Sequence, residues 1–121
     1  MDISNKFIKM CNCSEIQDII PKMIDDTGIK YIDGTAHVLK YHIGVGELIW
    51  LPRQDQLQEM VDLDIWELAT DLDEFIYTKD RDLPSKPVRG LKSMEQLWLA
   101  YVMYEKFNKV WDDKQEEWIK P

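Results

Sequence analysis

Cysteine, histidine, glycine and proline are all scarce in this chain of 121 residues, at two, two, five and five. The two cysteines, Cys11 and Cys13, stand one residue apart, too close for an unstrained disulfide, and neither has a distant partner. No disulfide framework is expected, and reduced thiols fit a cytoplasmic setting. Hydrophobic runs stay well short of the roughly 18 residues that a membrane helix needs. The start, Met1-Asp2-Ile3-Ser4-Asn5-Lys6, lacks the charged and apolar regions of a signal peptide. Positive charge is short as well: 15 Lys and Arg stand against 23 Asp and Glu, for a formal net charge of −8. Such a field repels duplex nucleic acid and anionic lipid, so neither direct duplex binding nor membrane attachment is expected, and a charged partner should be basic. Internal repeats and low-complexity tracts are missing too, which leaves a single domain over residues 1–121.

What is present is ordinary globular material: 45% hydrophobic, 11% aromatic and 31% charged residues, enough to fill a core without metal or disulfide. Ser14-Glu15-Ile16-Gln17 has the capping-box pattern, and Ile16, Ile19, Ile20, Met23 and Ile24 follow at helical spacing. Pro21 predicts a kink in that helix or a start near it, and Thr27-Gly28 its end. Two strands, 29–33 and 35–43, then flank Asp33-Gly34, a hairpin signal; Gly44-Val45-Gly46 turns the chain into a third strand, Glu47 to Leu51, before Pro52. The expected fold is α+β, with a short antiparallel β-meander (about residues 29–51) packed against N-terminal and C-terminal helices.

Three helices are expected beyond Pro52. Asp55-Gln56-Leu57-Gln58 repeats the capping pattern ahead of a short helix carrying Leu57, Met60 and Val61. Asp64 caps a longer one, whose Ile65, Leu68, Ala69, Leu72, Phe75 and Ile76 form an apolar stripe expected to pack on the sheet. Ser93-Met94-Glu95-Gln96 opens the last, which is apolar at eight successive positions from Leu97 to Tyr104 and continues with Phe107, Val110 and Trp111. A helix greasy on all sides must be covered on several, by this chain or by a partner. Trp118, in a polar tail, is expected to fold back.

Candidate chemistry is sparse. Cys11, Cys13, His37 and His42 supply a zinc-like ligand set, but Cys-x-Cys is not the usual ligand spacing, and an offset of five along a strand turns the two histidines to opposite faces. They stand as weak metal candidates beside a plain reading of buried cysteines and surface histidines; no cofactor is called for. No local nucleophile and base, phosphate-binding glycine loop or metalloprotease pair is present, and Asp112-Asp113 and Glu116-Glu117 read as solvated carboxylates, so an enzyme is not expected.

Charge is distributed unevenly. Eight acids and no lysine or arginine lie between Gln54 and Thr78. Glu67, Asp71 and Glu74 share one helical stripe, suited to a basic partner or to solvent. Trp66, beside Glu67, fits a contact patch or a core edge equally. Thr78 to Lys92 is a long loop in which Lys79, Arg81, Lys86, Arg89 and Lys92 outnumber Asp80 and Asp82; it either neutralises the acidic helix or contacts an acidic ligand.

At Ile49-Trp-Leu-Pro-Arg-Gln-Asp-Gln-Leu-Gln-Glu-Met60, and again from Ser93 to Trp111, the chain resembles small uncharacterised proteins encoded by phages and prophages of Gram-positive bacteria. The resemblance implies no catalytic residue. It implies a context, an accessory product in a bacterial host cytoplasm. Phage accessory proteins of this size commonly work by stoichiometric binding, often blocking a host defence or redirecting a host enzyme, and this chain is expected to do so as a monomer or homodimer through Trp66, Glu67, Asp71, Glu74, Lys79, Arg81, Lys86 and Arg89. The competing readings are an assembly protein that self-associates through its aromatic helix, and a small metal-binding protein or enzyme.

Overall fold

The computed structural model describes residues 2, 4–18, 23–24, 30–31, 38–41, 47–79 and 88–121, with backbone alone for the strands between 23 and 48. The fold is α+β. In order, the elements are helices α1 (Asn5–Cys11) and α2 (Ser14–Gln17), strands β1 (Met23–Ile24), β2 (Lys30–Tyr31), β3 (Val38–Tyr41) and β4 (Glu47–Trp50), and helices α3 (Gln54–Glu59) and α4 (Ile65–Glu74). A π-helical turn, Phe75–Lys79, continues α4; then come α5 (Met94–Phe107), β5 (Val110–Asp112) and β6 (Glu117–Ile119). Among the described residues no helix is long and apolar enough to cross a membrane.

The long aromatic helix is the centre. Trp98 through Met103 are all buried, and α5 packs against α3, α1 and β5. Its covering residues include Phe7, Met10 and Cys11 of α1, Ile49 and Trp50 of β4, Leu57 of α3, Leu68 of α4 and Phe75 of the π-helical turn. Each such apolar side chain contributes about 1.5–3 kcal/mol on burial, so this one helix organises most of the hydrophobic driving force. Ser93 caps it as expected, its Oγ accepting from the Gln96 N–H at 3.1 Å. The reciprocal half of the box is displaced by one residue: Gln96 Oε1 accepts from the Lys92 N–H at 2.8 Å. Gln96, only 1% exposed, also donates through Nε2 to Asp2 at 2.8 Å, and Ser93 Oγ donates to the same carboxylate at 2.5 Å, which fastens the N-terminus over the start of α5.

Several local readings are corrected. The helix does not run on to Trp111, because Asn108 takes a left-handed conformation (φ 53°) and its N–H returns to the helix end. Val110 and Trp111 therefore lie in β5, paired with Ile119 and Trp118 of β6. Trp118 does fold back: its ring meets Trp111 edge-on at 5.2 Å and its Nε1 donates to the Met10 carbonyl at 2.8 Å. Near the N-terminus, Met23 and Ile24 are strand rather than helix. Continuing α2 would need an N–H at Pro21 for the Gln17 carbonyl, and proline has none. Cys13, not Ser14, is the cap residue of α2, and Arg53, not Asp55, that of α3, where Gln56 Oε1 accepts from the Arg53 N–H at 2.9 Å.

The meander is realised in part. β3 and β4 pair antiparallel in the register Val38 to Trp50 and Tyr41 to Glu47, as the glycine-flanked turn implied. β2, however, pairs with β1, and the Asp33-Gly34 turn lies outside the described residues. Among the described residues the strands form three two-stranded antiparallel ribbons, β1–β2, β3–β4 and β5–β6. Among the described residues the acidic helix meets α5 at its end: Phe75, just past it, lies against the rings of Tyr101 and Tyr104 at 5.8 and 5.5 Å.

Candidate interaction surface on the acidic helix

Asp64 starts α4 as its sequence signalled, its carboxylate accepting from the Glu67 N–H at 2.9 Å. With about 100° between successive residues, the six-residue apolar stripe spreads over a wide arc, and only part of that arc meets the core. Leu68 and Phe75 are buried, whereas Ile65 and Ala69 stay exposed, Ile65 by 72%. Ile65, Ala69, Leu72, Ile76 and Tyr77, with Trp98 of α5, form an open apolar groove of about 290 Å³, with Asp73 at its rim. Trp98 is 5% exposed, and its indole N–H has no acceptor among the described residues. Trp66 lies beside this face and is 80% exposed; Tyr77 is 65% exposed. The alternative of a core-edge Trp66 is thereby removed.

The acidic stripe separates by role. Glu67 and Glu74 are exposed, on the side of α4 away from the groove. Asp71 is half-buried and accepts from the Tyr101 hydroxyl at 3.3 Å, tying α4 to the central helix. Burial, and then the Asp71 charge beside it, pushes the Tyr101 hydroxyl well above its ordinary range, so it remains a donor. Asp71 thus has a structural task, and Asp73 takes its place among the acids near the exposed apolar side chains.

Next to the apolar groove is a hollow of about 390 Å³ between α3 and α4, lined by Asp55, Glu59 and Asp62 together with Leu63, Ile65 and Leu68. Arg53 forks onto Asp55 through Nε and Nη2 at 2.9 and 2.8 Å. Glu59 and Asp62 are exposed, and no cation pairs with them among the described residues. Ile65 is common to both hollows.

Arg89 is exposed in the turn before Gly90, while Arg81, Lys86 and the Lys79 side chain lie outside the described residues. Cys11 sits in the core with its thiol pushed well up by burial, and burial raises Cys13 to about 11. His37 and His42 lie outside the described residues. Two of the carboxylates near the C-terminus have partners the sequence did not reveal, Asp113 meeting Lys6 at 2.9 Å and Glu116 meeting Lys9 at 2.6 Å, and Lys109 pairs with Glu15 of α2. These contacts fasten the β5–β6 hairpin and its approach to the N-terminal helices. No protein-family model matches the chain, and no curated protein or solved structure is similar to it.

Proposed function

We propose that this protein acts by stoichiometric binding of a basic protein partner, through the face of α4 that carries Ile65, Trp66, Asp73 and Tyr77. One observation carries the reading. Ile65 and Trp66, 72% and 80% exposed, stand on a helix whose charged residues, Glu67, Asp71, Asp73 and Glu74, are all acidic, and Tyr77 is 65% exposed just beyond it. Contiguous exposed apolar surface marks interaction sites, tryptophan and tyrosine supply rigid contact area, and negative charge favours and steers a basic partner. Burial of Trp98 through Met103 inside the same chain supports a binder over self-association through the aromatic helix.

In the phage setting that the sequence resemblance suggests, the partner is a host protein and the consequence is inhibition of a bacterial defence system. Expression in a panel of strains, each carrying a different defence system, tests this. Wild type should restore phage plating in at least one strain, and Trp66→Ala with Tyr77→Ala should abolish the effect. Failure to restore plating anywhere in a broad panel, or equal rescue by the double variant, contradicts the proposal.

A further inference from the structure

We infer that the occupant of this surface is a basic amphipathic helix of the partner, laid across Ile65 with its apolar side chains in the α4 groove and its lysines or arginines over the acidic hollow between α3 and α4. The inference rests on the binding reading above and specifies what is bound. Ile65 is the shared wall of two adjoining hollows, one apolar and the other mixed, with acids set among apolar side chains. One is lined by Ala69, Leu72, Ile76 and Trp98; the other offers Glu59 and Asp62 without a cation among the described residues.

A wholly cationic ligand would leave the apolar groove wet, and a wholly apolar one would strip water from Glu59 and Asp62 without replacing it. A ligand that satisfies both needs apolar and cationic groups on neighbouring faces, which a helix with apolar residues at i, i+3, i+4 and i+7 provides. Strand addition does not fit, because helices α3 and α4 hold their backbone groups in internal hydrogen bonds and offer no open edge. At about 290 Å³ the groove is at the lower limit of small-molecule pockets, which suits side chains inserted from a helix better than an engulfed ligand.

The probe is a synthetic leucine–lysine amphipathic helix titrated into the full chain, beside a scrambled peptide of identical composition, followed by calorimetry and by NMR shifts at Ala69, Ile76 and the Trp98 indole. The amphipathic peptide should move those resonances and bind at least about tenfold more tightly than the scrambled one, a difference of about 1.4 kcal/mol. Ala69→Trp, which fills the groove from an exposed helical position, should weaken binding about tenfold with an unchanged salt dependence. Glu59→Lys with Asp62→Lys should weaken binding and flatten its salt dependence. Equal binding of the two peptides, shifts away from the groove, or indifference to Ala69→Trp overturns the inference. If that happens while the Trp66 and Tyr77 variant still loses phage rescue, the binding reading stands and only the occupant is wrong; if the variant keeps rescue, the binding reading itself fails.

Discussion

Replacing Gln17 by alanine is expected to cost far more than its half-buried position in a four-residue helix suggests. Its amide completes backbone hydrogen bonding for two other segments: Nε2 donates to the Cys11 carbonyl at 2.8 Å and to the Trp50 carbonyl at 3.0 Å, while Oε1 accepts from the Trp50 N–H at 2.9 Å. Two carbonyls and one N–H as neighbours fix which end of the amide is oxygen. At a net 0.5–1.5 kcal/mol for each bond, the loss should total about 3 kcal/mol. With roughly 2.1 cal/mol/K of unfolding entropy per residue over 121 residues, that lowers the melting midpoint by roughly 12 °C.

Gln17→Glu sharpens the test. Its carboxylate would face two carbonyl oxygens, so its folded pKa should rise above the unfolded value; the destabilisation is full above the folded pKa and is relieved as pH falls through it, when the protonated acid regains a donor. Thermal unfolding of the three proteins at pH 7 and pH 5 decides the matter. A Gln17→Ala variant within about 0.5 kcal/mol of wild type, or a Gln17→Glu variant with no relative gain in acid, would refute the assigned bonding.

Three further outcomes follow from the geometry. Leu99→Ala, at a fully buried position in α5, should destabilise the fold by about 2–5 kcal/mol in denaturant titration. Stability should fall in acid: the Lys109 hydrogen bond lowers Glu15 and the Lys6 hydrogen bond lowers Asp113, while burial raises Asp2 but hydrogen bonds from Ser93, Ser4 and Gln96 outweigh it. Those contributions are present above the unfolded carboxylate pKa near 4 and are lost as pH falls through the lowered folded values, so denaturation midpoints measured from pH 6 to 2 should drop mainly below about pH 4 and should drop less for Asp113→Asn. With burial raising Cys13 from an ordinary 9.0 to about 11, its thiolate population at pH 7 should be roughly 100-fold below that of a free cysteine, and alkylation of the native chain should be slowed to match.

The central helix was legible because its signals are local: a Ser93 cap and eight successive apolar residues. Its end was not. A single left-handed residue, Asn108, stops the helix, and Val110 and Trp111 fit the helical period by coincidence while belonging to a hairpin. The partners of that hairpin, Lys6 and Lys9 of α1, lie more than a hundred residues away, beyond any short-range pattern. Similarly, Met23 and Ile24 match a helical stripe, but Pro21 removes the bond that would have extended α2 to them.

The candidate surface was visible in outline. The run of eight acids without a cation is plain in the sequence, where Trp66 fits either surface or core. What periodicity could not tell is which part of a six-residue stripe meets the core, because that depends on how α4 leans on α5. The groove face around Ile65 and Ala69, and the structural use of Asp71 by Tyr101, are properties of that packing.

Affinity capture from bacterial cytoplasm, with quantitative mass spectrometry of what the wild type and the Trp66→Ala, Tyr77→Ala variant each retain, bears most directly on the claim that this face is the working surface. Both substitutions are at exposed positions and should leave stability within about 0.5 kcal/mol. The account predicts one basic protein recovered in near-equimolar amount by the wild type and at least about tenfold less by the variant. Equal recovery by both, or no stoichiometric partner for either, would contradict it.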